Sequence, residues 1–253
     1  AMIAYTYEAN IDKKRAATVI SFHALGWLAG IAAAGITNDL KLIFLISAAA
    51  FIIGLLFTIK LPNPVQEKEL KPGTTRQIIS KNKFLFLSLL LRHIGAAAVW
   101  VILPIMIMEK WGGDLYHISV VYVANTLTAF ILMNVMASKI HLSNITKFKI
   151  GIGATTFVFV GLAFVTDWWM AMPFMSLVGA TWAFLFIGGN FHLMENNPRS
   201  TSTGIFSSTL SIATVIGPVI GGTIAFLFDY VAVLYFAVVI IVCAFIVSLK
   251  IKK

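Results

Sequence analysis

Residues 84–108 read FLFLSLLLRHIGAAAVWVILPIMIM and contain a single charged side chain, Arg92. An α-helix rises about 1.5 Å per residue, so about 20 apolar residues cross the roughly 30 Å hydrocarbon core of a bilayer. This stretch is therefore long enough and apolar enough to span a membrane as one helix. It indicates an integral membrane protein.

The composition of the whole chain agrees with that interpretation. Of its 253 residues, 59% are hydrophobic and only 11% are charged, against about a quarter charged in soluble domains. So few charges cannot solvate the surface of a soluble domain of this size. The composition also excludes a disordered chain, a collagen-like fibre and a disulfide scaffold. Cys243 is the only cysteine, so no intrachain disulfide is possible.

Seven further apolar segments flank this stretch, and together they predict an all-α integral membrane fold of about eight transmembrane helices. A polar, proline-containing stretch from Lys60 to Lys83 divides the chain. We therefore expect the end of one helical bundle at 1–61 (the tail of a helix plus two spans), a cytoplasmic linker at 62–83 and a six-helix bundle at 84–253. The predicted spans are 16–37, 41–60, 84–108, 117–138, 148–166, 168–193, 203–228 and 230–249.

The basic residues predict the orientation. Sixteen of the 19 Lys and Arg residues lie on one set of alternate loops. Only Lys41 and Lys110 lie on the other set, and Arg92 falls within a span. The positive-inside rule then places both ends of the chain and the linker in the cytoplasm, in a multi-pass protein of the cell (cytoplasmic) membrane. This distribution explains the net charge of +9 without a nucleic-acid partner.

Two segments, 13–35 and 197–222, look like copies of one another. Aligning Gly30 with Gly217 also places Gly35 on Gly222. Glycines four or five residues apart let a neighbouring backbone approach closely, and internal repeats are typical of secondary transporters. The alternative is ordinary small-residue packing, because glycine is common in membrane helices.

Several of these residues form patterns that resemble the major facilitator superfamily. Arg199, Gly204 and the segment Gly217-Pro218-Val-Ile-Gly221-Gly222 resemble the penultimate span of that family. Lys14-Arg15 with Gly26, Gly30 and Gly35 resembles its fifth span. The linker is similar to the loop that joins the two halves, and Arg92-His93-Ile-Gly95 followed by Leu103-Pro104 resembles the opening of the second half. The eight spans would then correspond to the fifth to twelfth of a twelve-helix transporter.

The resemblance implies a secondary active transporter, not an enzyme, that moves a small solute (a metabolite, a drug-like molecule or an organic anion) by alternating access. It implies an N-terminally truncated chain that works in the lipid bilayer and needs no cofactor or metal. Residues with implied gating or packing roles are Gly26, Gly30, Gly35, Pro104, Lys139, Arg199, Gly217, Pro218, Gly221 and Gly222.

The sequence departs from the family pattern at two positions. Ile31 stands where antiporters of the family typically have proline after glycine, which weakens an inference of export by exchange. Ser138 stands where the gating loop after the fourth span normally has an acid. The charge-paired latch of the family therefore cannot be carried over to this loop.

Polar and aromatic residues at membrane depth are the candidates for a substrate site. Arg92 lies eight residues past Phe84, about 12 Å along a helix. It either attracts an anion, with His93 beside it, or extends its long stem back to the cytoplasmic interface. The other candidates either face the substrate or serve packing, helix-to-helix bonding or gating: Tyr122, Asn125, Trp182 and Asn190.

No Asp or Glu lies within a predicted span, so a coupling ion would bind in the missing N-terminal part. The sequence also has no nucleotide-binding loop and no paired-histidine metal signature. Two alternatives remain. One is a membrane enzyme or lipid-handling protein that uses His192, Glu195 and Asn196 at the cytoplasmic face, and the other is an accessory protein without transport activity.

Overall fold

The computed structural model describes residues 13–37, 39–59 and 74–251. All of the regular secondary structure in these residues is helical, and they contain no strand. One short 3-10 helix spans Trp168–Met170. The helices are α1 Lys13–Thr37, α2 Leu40–Ile59, α3 Thr74–Lys81, α4 Lys83–Glu109, α5 Leu115–Ser138, α6 Asn144–Leu162, α7 Ala171–Asn196, α8 Arg199–Leu227 and α9 Tyr230–Leu249.

Seven of the described helices, α1 and α4 to α9, are long and apolar enough to cross a membrane. The α2 helix contributes a shorter apolar segment, Lys41–Phe57. The chain thus has the architecture of an all-helical, multi-pass membrane protein, which confirms the predicted fold class at this level. The predicted helix tail at 1–9 and the linker residues 62–73 lie outside the described residues.

Side-chain caps set where three of the helices begin. Asp114 Oδ1 accepts the backbone N–H of His117 across 3.0 Å at the start of α5, and Asp229 Oδ1 accepts that of Ala232 across 2.6 Å at the start of α9. Ser143 Oγ accepts the N–H of Thr146 across 3.2 Å. This last cap starts α6 at Asn144, four residues before the predicted start at 148, because a serine at this position satisfies a free N–H of the first turn.

The second half of the linker contains a helix that the sequence analysis did not predict. In α3, the side chain of Ile78 is only 3% exposed. It belongs to an apolar cluster that includes Leu85 of α4, Phe148 of α6 and Phe206 of α8. Although the linker has a polar composition, one of its apolar side chains therefore packs against α4, α6 and α8.

The six helices α4 to α9 pack in a pattern with internal symmetry. The α4 helix packs on α8 and α9, while α7 packs on α5 and α6, and α6 contacts α9. Exchanging α4–α6 with α7–α9 maps the two contacts of α4 onto the two contacts of α7 and leaves the α6–α9 contact unchanged. The unit therefore consists of two three-helix groups with corresponding contacts.

The α1 helix joins this unit mainly through α5. Asn134 Nδ2 donates a hydrogen bond to Ser21 Oγ across 2.8 Å. Ile20 and Ala24 are buried in a cluster with Met133 and other residues of α5 and α7. The α2 helix, in contrast, contacts α1 over only a short stretch, and most of its apolar side chains are exposed.

Candidate functional site

A cavity of about 400 Å³ lies between α1, α4, α5, α7 and α8. Each of these helices contributes side chains one turn apart, at positions i and i+4 or i and i+3, which lie on one face of a helix. The residues that line the cavity are Trp27, Ile31, Arg92, His93, Ala97, Trp100, Val101, Tyr122, Asn125, Thr126, Val178, Trp182, Thr214 and Pro218. Five of the six predicted substrate-site candidates are among them.

Arg92 lies where the core face of α4 meets its cavity face. Residues one to three turns further along α4 on the same side, Ala96, Val99 and Leu103, are buried in the core. Arg92 itself is only 1% exposed. Its guanidinium therefore stays within the bundle and does not extend to the protein surface, as the alternative interpretation of this residue requires.

The guanidinium of Arg92 makes few polar contacts. Its Nη2 donates to Thr155 Oγ1 on α6 across 3.3 Å, and its Cζ lies 5.5 Å from the centroid of the Trp182 ring. The Nε atom is buried without a hydrogen-bond partner. Among the described residues, Arg92 forms no ion pair with a carboxylate. The result is a buried positive charge that faces a cavity without a protein counter-ion from this part of the chain.

His93 lies beside Arg92 and links α4 to two other helices. Its Nε2 lies 3.3 Å from Thr214 Oγ1 on α8, and its ring centroid lies 5.6 Å from that of Trp182 on α7. The Thr214 hydroxyl also donates to the carbonyl of Leu210 across 2.9 Å. Because a hydroxyl has only one proton, His93 Nε2 is the donor in its contact with Thr214. Trp182 thus lies against both Arg92 and His93.

The other end of the cavity is aromatic. Tyr122 on α5 donates from its hydroxyl to the carbonyl of Trp100 across 3.1 Å, and their ring centroids lie 6.0 Å apart. Trp100 also meets Phe159 edge-on at 6.3 Å. Asn125 and Thr126 follow one turn after Tyr122 and line the same wall. Tyr122 therefore serves both as a cavity wall and as a bond to a neighbouring helix, the two roles considered from the sequence.

Asn190 does not line this cavity. It lies eight residues past Trp182 on α7, about 12 Å further along the helix axis. Its side chain is 1% exposed, and its Nδ2 donates to the carbonyl of Phe186 across 3.0 Å. The helical spacing places Asn190 on nearly the same side of α7 as Trp182. The cavity, however, ends before it reaches Asn190.

The glycines with predicted packing roles fall into two groups. A Cβ on Gly217 would lie 2.6 Å from Ala97 Cβ, and a Cβ on Gly221 would lie 2.7 Å from the carbonyl oxygen of Ala98. A Cβ on Gly35 would collide with Ser119. In contrast, a Cβ on Gly26, Gly30 or Gly222 would meet no atom within 4 Å. Close helix packing thus accounts for Gly35, Gly217 and Gly221 only.

The aligned pair Gly30 and Gly217 therefore does not share a packing environment, because only Gly217 is in close contact. Of the other residues with implied gating or packing roles, Pro218 lines the cavity. Pro104 lies inside α4, which continues through it to Glu109. Lys139 is exposed at the end of α5 and Arg199 is the first residue of α8.

The alternative site at the end of α7 is only partly defined. His192 is half-buried and Glu195 is exposed, while the side chain of Asn196 lies outside the described residues. In the described part of the chain, no group of three or more His, Cys, Asp and Glu side chains is arranged to hold a metal ion.

The residues that contact the predicted candidates but were not themselves predicted include Trp100, Thr155 and Thr214. A usable signal existed for Trp100, because positions i, i+4, i+7 and i+8 from His93 give Ala97, Trp100 and Val101 on one helical face. Thr155 is 63 positions from Arg92 in the sequence, and no local pattern pairs the two. Thr214 likewise requires knowledge of how α8 packs on α4.

No protein-family model matches this chain, and no curated protein sequence matches it either.

Proposed function

We propose that the chain acts as a secondary transporter of the major facilitator type and moves a small solute across the membrane by alternating access. The observation on which this proposal rests is the position of the cavity. Its walls come from α1, which the sequence assigns to one bundle, and from α4, α5, α7 and α8 of the six-helix unit. A solute bound there would lie at the boundary between two helical bodies.

The packing pattern of α4 to α9 supports the proposal. If each of these helices crosses the bilayer in turn, the group α7–α9 enters from the side opposite to α4–α6. Equivalent contacts within the two groups then correspond to an inverted repeat. Inverted three-helix repeats within a six-helix half are the building plan of this transporter type.

The contact between α1 and α5 includes a point of close approach. A side chain at Gly35 would collide with Ser119, so the two helix backbones lie close together there. A hydrogen bond from Asn134 to Ser21 and a buried apolar cluster around Met133 also join the two helices. A shift of α1 against the six-helix unit along this contact would open the cavity to one side at a time.

Thiol accessibility tests this proposal without knowledge of the substrate. In the full-length protein with Cys243→Ser, Val101→Cys places one thiol on the cavity wall at a position that is 41% exposed. The matched control is Val239→Cys on α9, which is 63% exposed and does not line the cavity. A charged, membrane-impermeant thiol reagent is added to one face at a time of sealed vesicles.

Alternating access predicts that the reagent modifies Val101→Cys from either face and leaves Val239→Cys unmodified. Modification of Val101→Cys from one face only, under every condition, would contradict the proposal. Equal modification of both positions would indicate that exposure to the surroundings, and not a gated cavity, controls the reaction.

A further inference from the structure

We infer that the cavity binds an amphipathic monoanion, which is a molecule with one anionic group at one end and a ring-bearing apolar body. The inference deepens the proposed function and rests on it for the role of this ligand as the transported substrate. Binding of such a ligand, however, can be measured separately from transport.

The single anionic group follows from Arg92. Of the fourteen residues that line the cavity, Arg92 is the one with a fixed charge. Its guanidinium has five N–H donors, and one hydrogen bond, to Thr155, is made within the described part of the chain. A buried charge without a partner costs free energy. A bound carboxylate or similar anion would supply both the missing charge and the missing acceptors.

Trp182 limits how that anion approaches. The indole lies 5.5 Å from the Arg92 Cζ, within the range of a cation–π contact, and 5.6 Å from the His93 ring. The ring beside the guanidinium and the hydrogen bond from Nη2 to Thr155 leave the other N–H donors of Arg92 for a ligand in the cavity. An edge-on approach is the geometry in which a carboxylate accepts two parallel hydrogen bonds from arginine.

A second negative charge on the ligand would be unfavourable. The other lining residues are neutral polar, aromatic or aliphatic, apart from His93, where a positive charge would be repelled by the neighbouring Arg92 guanidinium. A second carboxylate would lose its hydration without gaining a cationic partner from these residues. The arrangement therefore selects monoanions over dianions.

The apolar body of the ligand follows from the opposite end of the cavity. Trp100 lies eight residues past Arg92, about 12 Å along α4, and Ala97 between them leaves space over the helix. Tyr122 adds a ring from α5, 6.0 Å from that of Trp100. Such surfaces favour aromatic or alicyclic groups. An anion without a ring would leave this end of the cavity unfilled.

The probe for this inference is 4-phenylbutyrate, and binding to the purified full-length protein is measured by isothermal titration calorimetry. Three analogues each change one property: 4-phenylbutyramide removes the charge, butyrate removes the ring and benzylsuccinate (3-carboxy-4-phenylbutyrate) adds a second carboxylate. We expect 4-phenylbutyrate to bind at least about tenfold more tightly than each analogue, since a charged hydrogen bond or a buried ring is each worth about 1.4 kcal/mol or more. Equal affinity for 4-phenylbutyrate and its amide would overturn the inference.

Substitution of Arg92 assigns the effect to this residue. Arg92→Gln removes the charge and should weaken 4-phenylbutyrate at least about tenfold while leaving the amide within about twofold. Arg92→Lys keeps the charge and should bind the anion more tightly than Arg92→Gln does. The control is Lys83→Gln, which removes one positive charge from the exposed first residue of the same helix and should leave both affinities unchanged.

The outcomes separate this inference from the proposed function. If the wild-type protein prefers the anion and Arg92→Gln does not, but proteoliposomes take up no 4-phenylbutyrate, the anion site stands and the proposed transport fails. If the thiol test shows access from both faces but the anion and its amide bind equally, the transporter stands and the substrate class is wrong. Loss of preference in Lys83→Gln as well as in Arg92→Gln would also overturn the assignment to Arg92.

Discussion

Arg92 on α4 donates a hydrogen bond to the hydroxyl of Thr155 on α6 across 3.3 Å, and that hydroxyl donates in turn to the carbonyl of Gly151 across 2.6 Å. The Thr155 side chain is fully buried. Because its only proton is used toward Gly151, its oxygen must accept from Arg92. Thr155 is therefore a positioning residue that fixes one nitrogen of the guanidinium.

Thr155→Val tests this positioning role, since valine keeps the shape and removes the hydroxyl. We expect the affinity for 4-phenylbutyrate to fall about fivefold, in line with about 1 kcal/mol for one hydrogen bond, and the affinity for the uncharged amide to stay unchanged. Titration calorimetry measures both. The control is Thr181→Val on α7, where a buried hydroxyl bonds only its own helix at Val178. An equal loss for the anion and the amide would mean that Thr155 serves packing alone.

Neighbouring glycines on α8 provide a test of the helix packing. Gly221→Ala would place a Cβ 2.7 Å from the Ala98 carbonyl oxygen and 2.9 Å from Ala98 Cα. Both are backbone atoms that cannot move without shifting α4, so we expect a loss of about 1–3 kcal/mol in the free energy of unfolding. At Gly222 the same methyl group meets no atom within 4 Å, and Gly222→Ala should be tolerated. Denaturant unfolding in detergent compares the two variants.

A result in which Gly221→Ala and Gly222→Ala lose equal stability would contradict the packing of α8 on α4. Such a result would also remove the structural basis for treating Gly217 and Gly221 differently from Gly222, although the sequence pattern alone places all three in one group.

The sequence predicted the helices well because a membrane-spanning helix has a strong local signal. The length and hydrophobicity of residues 84–108 alone predict α4, which spans Lys83–Glu109. The α6 helix begins earlier than predicted because hydrophobicity does not register the cap at Ser143. The small helix α3 was not predicted because its composition is polar. It packs against the other helices through one apolar side chain, Ile78, and a single apolar residue gives no pattern that the sequence reveals.

The candidate site was predicted in part for a related reason. Ionisable and polar side chains inside a span are rare, so Arg92, His93, Tyr122 and Asn125 stand out in the sequence. Asn190 stands out equally, yet it lies beyond the cavity. Which polar residue faces the cavity depends on helix rotation and on packing partners far away in the sequence, such as Thr155 for Arg92.

The Asp114 cap predicts a pH dependence of stability. The backbone N–H of His117 donates to this carboxylate and, with the His117 side chain, holds its pKa below the usual value of 3.8. Because the folded-state pKa is the lower one, the ionised cap stabilises the folded protein at neutral pH, and this contribution is lost as the pH falls through the lowered pKa.

Asp114→Ala should therefore lower the melting temperature at pH 7, and the difference from the wild type should shrink below pH 3.8. Asp114→Asn keeps a capping oxygen without the charge and should show a smaller loss, which should also shrink as the wild-type carboxylate is protonated. Thermal unfolding followed by circular dichroism measures all three proteins. A constant difference for Asp114→Ala down to the lowest pH would show that the carboxylate charge plays no part.

The stability of the unliganded protein separates a binding role of Arg92 from a structural one. Arg92→Met replaces a buried charge that has one hydrogen bond with an apolar side chain of similar length. Replacing buried ionic groups with apolar ones is often neutral or stabilising. We expect the melting temperature of the unliganded protein to be unchanged or higher and binding of 4-phenylbutyrate to be lost. A large drop in melting temperature would assign Arg92 to the core.

The most direct test of transport through this cavity is counterflow of labelled 4-phenylbutyrate into proteoliposomes that contain the full-length protein. Liposomes are preloaded with unlabelled 4-phenylbutyrate or with its amide, and the same measurement is made with Arg92→Gln and Lys83→Gln. Our account predicts saturable uptake that the preloaded anion accelerates, that Lys83→Gln retains and that Arg92→Gln loses. Uptake equal to that of protein-free liposomes, by wild-type protein that binds 4-phenylbutyrate in solution, would contradict it.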